Sequence, residues 1–178
     1  MDRSRKFLFT GPPGVGKTTA IAAISDIEPV TTEMAASDEL AARKETTTAA
    51  LDFGELHLDD GDVIRLYGTP GQQRFDFMWR LLIEGAMGVV ILIDNSRDDP
   101  LGDLDMYLEN FADLIRDTGA VVGLTRMDTH PEPEVDAFYA RLGAHRFMLP
   151  ILECDIRRRE DIVLIMDALM STIEPQTA

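Results

Sequence analysis

Residues 11–18 read Gly-Pro-Pro-Gly-Val-Gly-Lys-Thr, a fit to G-x-x-x-x-G-K-[ST]. An apolar run precedes them (6–10, KFLFT) and a helix-length segment follows (17–25). In that setting the chemistry is anion binding. Backbone N–H groups from Gly14, Val15, Gly16, Lys17, Thr18 and Thr19 would converge on phosphate oxygens where the helix dipole also favours negative charge. Lys17, one of three lysines in the chain, would neutralise the outer phosphates, and the Thr18 hydroxyl would ligate Mg²⁺. Pro12 and Pro13 lack N–H donors but precede the part of the loop that wraps the phosphates.

Two later stretches bear on which nucleotide is bound. Asp128, in Leu-Thr-Arg-Met-Asp (124–128), follows directly on an apolar run, and open α/β sheets bind ligands at the carboxyl ends of their strands. A carboxylate there can accept both the N1–H and the N2–H₂ of guanine, a donor pair that adenine lacks; it could equally cap a helix. Asp155-Ile156-Arg157 leaves the next apolar run in the same way, and a backbone N–H there could meet a base oxygen. A third stretch, Gly68-Thr69-Pro70-Gly71-Gln72, breaks the run DVIRLY and then presents amides; by itself it reads as a change of chain direction.

The elements that must position these residues alternate. Residues 6–10, 62–67, 88–94, 120–124 and 148–154 read as short strands, several apolar throughout, as suits strands covered on both faces. Residues 51–58 alternate more clearly and read as an edge strand. Helices are expected over 17–25, 77–84, 101–117, 134–141 and 158–173, the last with Ile162, Ile165, Met166, Leu169 and Ile173 facing the sheet. This order predicts one three-layer α/β P-loop domain over residues 1–178, with about six mostly parallel strands and helices on both faces. Residues 26–48 read as one long irregular stretch rich in acids and threonine.

Composition narrows the function classes. Thirty-two acidic residues against 17 basic give a formal charge of −15, a surface that repels nucleic acid and anionic lipid. No apolar run approaches the roughly 20 residues needed to cross a bilayer, so no stable membrane insertion is expected. One cysteine, Cys154, suits a reducing cytoplasm and reads as a small buried hydrophobe within a strand. His57, His130 and His145 have no spacing that suggests a metal site.

GPPGVGKT, the threonine run 46–48 before LDFG, GTPGQQRF, TRMD and CDIR stand in the order and approximate spacing of the five Ras-type GTPase motifs. Residues 79–96 look like the Arf and signal-receptor-β branch. As a whole, from about residue 6 to 173, the chain most resembles the bacterial MglA-like small GTPases that accompany roadblock-type partners. The resemblance implies GTP and GDP as ligands, Mg²⁺ held by Thr18 and Thr48, and Gln72 orienting the attacking water. It also implies that Gly71 meets the γ-phosphate and that Thr125, Arg126, Asp128, Asp155, Ile156 and Arg157 surround the base. A protein regulator or effector follows from it, with a roadblock-type dimer as first candidate.

The chain also departs from the pattern. Gly68 stands where Ras-type switches carry the Asp that holds Mg²⁺ through water, and Thr125 and Arg126 replace an Asn-Lys pair. No arginine immediately precedes Thr48, which leaves Arg43, Arg74 or a partner as the source of a catalytic cation. The expectation is a slow GTP-hydrolysing switch. Two alternatives stay open: a P-loop kinase of a small molecule, which would need clustered arginines near the phosphates, and a nucleotide sensor that does not hydrolyse.

Overall fold

The computed structural model describes residues 4–35, 48–71 and 76–173, with the side chains of 32–35 and 48–50 outside that description. Along the chain it has β1 (Ser4–Thr10), α1 (Lys17–Ile24), β2 (Val30–Ala35), β3 (Thr48–His57), β4 (Val63–Gly68), α2 (Asp76–Ile83) and β5 (Val89–Asp94). Then follow α3 (Pro100–Asn110), α4 (Ala112–Asp117), β6 (Ala120–Thr125), α5 (Val135–Ala144), β7 (Ile151–Glu153) and α6 (Arg159–Ile173). The seven strands form one sheet in the order β2-β3-β4-β1-β5-β6-β7. Pairing is parallel from β4 through β7 and antiparallel at β2–β3 and β3–β4.

Burial explains the apolar runs. Every position of β5 and of β6 is buried, because helices cover both sides of the sheet. Side chains alternate between the two faces. Phe7, Phe9, Val90, Leu92 and Val121 meet Ile21 and Ile24 of α1 and Ile162, Ile165 and Leu169 of α6. Leu8, Ile91, Ile93 and Val122 meet Trp79 of α2, Tyr107 of α3 and Phe138 of α5. Ile162, Ile165, Met166 and Leu169 are buried as their spacing predicts. Asp99 caps α3 by accepting the Gly102 amide at 2.9 Å, with Pro100 in the first turn, where a missing N–H costs nothing.

Four expectations need correction. The sheet has seven strands, because β2 forms within 26–48, a stretch that reads as irregular. Residues 51–57 belong to β3, an inner strand, and residue 58 lies past its end; β2 is the edge. The helix expected over 101–117 is interrupted at the buried Phe111, whose φ of −105° and ψ of 11° separate α3 from α4. The last strand shortens from 148–154 to Ile151–Glu153; Pro150 has no N–H for a ladder and contributes only its carbonyl, to the Val122 amide at 3.0 Å. Among the described residues no helix is long and apolar enough to cross a membrane.

Candidate nucleotide site

The loops that leave β1, β6 and β7 meet at one rim of the sheet. After β1 the chain turns through residues 11–16 into α1, with Gly14 at φ 75° and Gly16 at φ 107°, backbone that favours glycine. Gly16 is constrained twice: a Cβ there would lie 1.9 Å from Ile156 Cδ1, so the loop after β7 packs directly on the phosphate loop. No side chain caps the start of α1, which leaves its first amides to an anion. Val15 departs from the expected set. Its amide closes a turn onto the Pro12 carbonyl at 3.2 Å.

Lys17 is buried, and its ammonium donates to the carbonyls of Gly11 (2.6 Å) and Pro12 (3.0 Å). Burial pushes its pKa down to about 8; Asp52 opposes the drop and Arg97 adds to it. Between that value and 10.5 the unfolded chain binds a proton that the folded one has shed, so folding stability rises with pH through this window. Binding runs the other way. Phosphate oxygens would restore the ammonium, so nucleotide uptake draws in a proton and affinity falls by up to about tenfold per pH unit. Calorimetry at pH 9 in buffers of differing ionisation enthalpy should show uptake of close to one proton.

The turn that follows β4 docks on this loop. Thr69 donates its amide to Phe9 O at 2.9 Å and its hydroxyl to Thr10 Oγ1 at 2.8 Å. The Trp79 indole N–H donates to Pro70 O at 2.9 Å. A Cβ on Gly71 would sit 2.6 Å from Pro13 N and 2.8 Å from Lys17 Nζ, which places that backbone against the phosphate loop. Gln72 and the side chain of Thr48, the first residue of β3, lie outside the described residues, as do Arg43 and Arg74.

Beside Gly68, the neighbouring strand presents an acid. Asp52 of β3 pairs in register with Gly68 of β4. Its carboxylate accepts the Thr18 hydroxyl at 2.5 Å and the Thr31 hydroxyl at 3.2 Å. A Cβ on Gly68 would lie 3.1 Å from Asp52 Cβ and 3.2 Å from Oδ2, so the absent side chain makes room for this one. A hydroxyl and a carboxylate are hard oxygen donors and fit Mg²⁺. Thr18 and Asp52 would hold the ion, which when bound neutralises charge on the outer phosphate oxygens. Sequence reasoning missed Asp52.

At the other end of the rim lies a cavity of about 620 Å³, within the usual range for a small-molecule site. Thr125, Arg126, Asp128, Asp155, Ile156 and Arg157 all line it, and Val15 joins it to the phosphate loop. Their roles are not equal. Thr125 is buried and turns its hydroxyl to Ile93 O at 3.3 Å, forming floor rather than contact. Arg126, at φ 60°, sends its guanidinium to Asp94 and Ser96, both at 3.1 Å. Asp128 is exposed to the cavity. The Asp155 amide is taken by Asp161 at 2.8 Å and the Arg157 amide by Asp155 at 3.0 Å, which leaves that of Ile156 for a base oxygen. Cys154 sits just past β7 rather than within it, on the cavity wall, and burial pushes its thiol up to about 12. It is therefore protonated and unreactive at neutral pH.

The profile of a family described as conserved hypothetical ATP binding proteins matches residues 9–173, from the end of β1 through α6. The chain belongs to this family. A shorter match, 40% identical over 50 residues, links it to the uncharacterized protein MJ1339 of Methanocaldococcus jannaschii, covering 28% of this chain and 32% of that protein. Among solved structures, the cytosolic domain of the T. maritima FeoB iron transporter in its GMPPNP form shares the fold with a TM-score of 0.66 and 17% identity. That match covers 94% of this chain and 63% of the other, so the chain spans less than two thirds of either relative. Membership of the ATP binding family and the P-loop fold together establish a nucleotide-binding P-loop NTPase.

Proposed function

We propose that this chain is a guanine-nucleotide switch of the MglA-like, Ras-like kind, which hydrolyses GTP slowly and is governed by a protein partner. The observation that carries the reading is the cavity. Asp128 faces it as an acceptor and Ile156 offers a backbone donor, complementary to the amide edge of guanine and continuous with the phosphate loop. Thr18 and Asp52 stand ready for Mg²⁺, and the turn ending at Gly71 touches Pro13, where the presence of a γ-phosphate would be sensed. The GMPPNP form of the FeoB domain, which shares this fold, agrees with such a ligand. The partner is a protein, with a roadblock-type dimer as first candidate, and the site of action is cytoplasmic.

The family's description favours a second reading, ATP in the same site. Adenine presents an acceptor at N1 and would set its lone pair against the Asp128 carboxylate. Single-turnover hydrolysis with GTP and with ATP, together with the identity of the nucleotide retained on gentle purification, decides between them. Equal affinity for both nucleotides would defeat the guanine reading. Asp128→Asn should weaken GTP binding by about 10–100-fold, the cost of mispairing a charged hydrogen-bond site. Gln72→Leu should slow hydrolysis while leaving GTP affinity nearly unchanged, because a water-orienting group acts in the transition state. Unaltered turnover would remove that residue from the mechanism.

A further inference from the structure

Asp94 ends β5, Asn95 follows it, and both are buried beside the loop that leaves β6. Buried polar side chains need partners, and here the loop supplies them. The Asn95 amide donates to Thr125 O at 3.1 Å. Its side-chain Nδ2 donates to two carbonyls, His130 O at 2.6 Å and Pro133 O at 3.2 Å. Carbonyls can accept only from the NH₂ end, so the orientation of this amide is fixed. Its Oδ1 is left buried and, among the described residues, without a hydrogen-bond partner. A side chain buried for its donor end alone destabilises the fold, which directs attention to what the donor holds.

It holds one end of the turn 126–130. Arg126 forms the other end, with its Nη1 at 3.1 Å from both Asp94 Oδ2 and Ser96 Oγ. Ser96 in turn bonds Asp94 Oδ1 through its hydroxyl at 2.6 Å and its amide at 2.9 Å. The His130 amide closes the turn onto Arg126 O at 2.9 Å. Asp128 stands in the middle, two residues from each anchor, and lines the base cavity. Arg126 sits at φ 60°, a backbone that an arginine keeps only where its surroundings enforce it. Because Asp128 is exposed, the backbone of this turn sets the aim of its carboxylate.

We propose that Asn95 is a positioning residue for base recognition. Together with Arg126 it clasps the turn 126–130 to the end of β5 and so aims Asp128 at the base. The proposal rests on the reading of Asp128 as acceptor for a guanine-type edge, a ring N–H with an amino group beside it. Two parallel hydrogen bonds to one carboxylate are directional, so a tilted turn would lose them. Met127 packs against the core and keeps the turn attached when one anchor is cut. The loss then falls on aim rather than on folding.

The test measures affinity for GDP and ADP on the full chain, unmodified and as Asn95→Ala, Arg126→Gly, Asp128→Asn, and Asn95→Ala combined with Asp128→Asn. Asn95→Ala should cut GDP affinity about tenfold, the scale of one or two neutral hydrogen bonds, and leave ADP within about twofold. Arg126→Gly should do the same. Glycine takes φ 60° without strain, so this variant reports the loss of an anchor even if Asn95→Ala fails to fold. In the Asp128→Asn background Asn95→Ala should change GDP affinity by less than about twofold, because it acts through Asp128. Thermal midpoints establish which variants are folded. Equal losses for GDP and ADP, or a full further loss in the Asp128→Asn background, would show a merely structural role and overturn the proposal. Guanine preference kept by Asn95→Ala, or by Arg126→Gly should the first not fold, also overturns it while leaving the guanine reading intact. Equal binding of ADP and GDP by the unmodified protein removes the reading of Asp128 and the proposal together.

Discussion

Lys17→Ala abolishes measurable nucleotide binding, an expected loss of at least about 100-fold, while the protein remains folded. The ammonium is the buried cation at the phosphate loop, and charge-assisted hydrogen bonds of this kind are worth about 1.5–3 kcal/mol each. Folding gains little from it. A buried cation satisfied by two carbonyls, with its pKa held at about 8, is a group that the folded state carries at a cost. Lys17→Met, which keeps the stem and drops the charge, should therefore match or exceed the thermal midpoint of the parent while binding no nucleotide. Micromolar binding in both variants would place the nucleotide elsewhere on the chain. Unfolding of Lys17→Met would mean that the ammonium–carbonyl bonds are structural.

The second large effect is expected at the strand pair that sets Asp52 beside Gly68. Gly68→Asp sets a second carboxylate within contact of Asp52, beside Ile21 in a buried position. An unpaired buried charge costs on the order of 3–5 kcal/mol, so this variant should lose stability and Mg²⁺-dependent affinity together. Asp52→Gly alone should leave the fold intact but lower affinity in Mg²⁺ by about 10–100-fold, the usual cost of losing a supporting carboxylate at a metal site. It should change little in EDTA. Combining the two moves the acid from one strand to the other and should recover most of both losses. Nucleotide titrations with Mg²⁺ and with EDTA, alongside denaturant midpoints, read all three variants. A double variant no better than Gly68→Asp would show that Asp52 supports the fold rather than the ion.

What could be read in advance follows from how local each feature is. The phosphate loop is eight consecutive residues between a strand and a helix, and Asp128 and Asp155 each follow an apolar run, so all three announced themselves. Asp52 did not, because its place beside Gly68 and Thr18 exists only through strand pairing. The turn around Asp60 pairs 57 with 63 and 52 with 68; folding the sequence about that point would have set Asp52 opposite the position where the acid is absent. β2 escaped for a different reason. Val-Thr-Thr-Glu-Met-Ala lies at the sheet edge and lacks the unbroken apolar run that marks β5 and β6. Thr125 and Arg126 line one cavity with Asp128, yet their polar atoms turn to Ile93 and Asp94 on the adjacent strand. No reading of residues 124–128 alone contains those neighbours.

The single tryptophan has an optical and a mechanical consequence. Trp79 is almost fully buried, with the tilted rings of Tyr107 and Phe111 at 5.4 Å and 5.5 Å between centroids, and its indole N–H holds the carbonyl of Pro70. If the Gly68–Gly71 turn shifts by more than a hydrogen bond can stretch, α2 must follow or a buried donor is stranded at a cost of about 1–3 kcal/mol. Any displacement of the turn would therefore come in jumps rather than by creeping, and each jump would change the polarity around the one tryptophan in the chain. Emission at tryptophan wavelengths would record the position of the turn in real time, without any label attached.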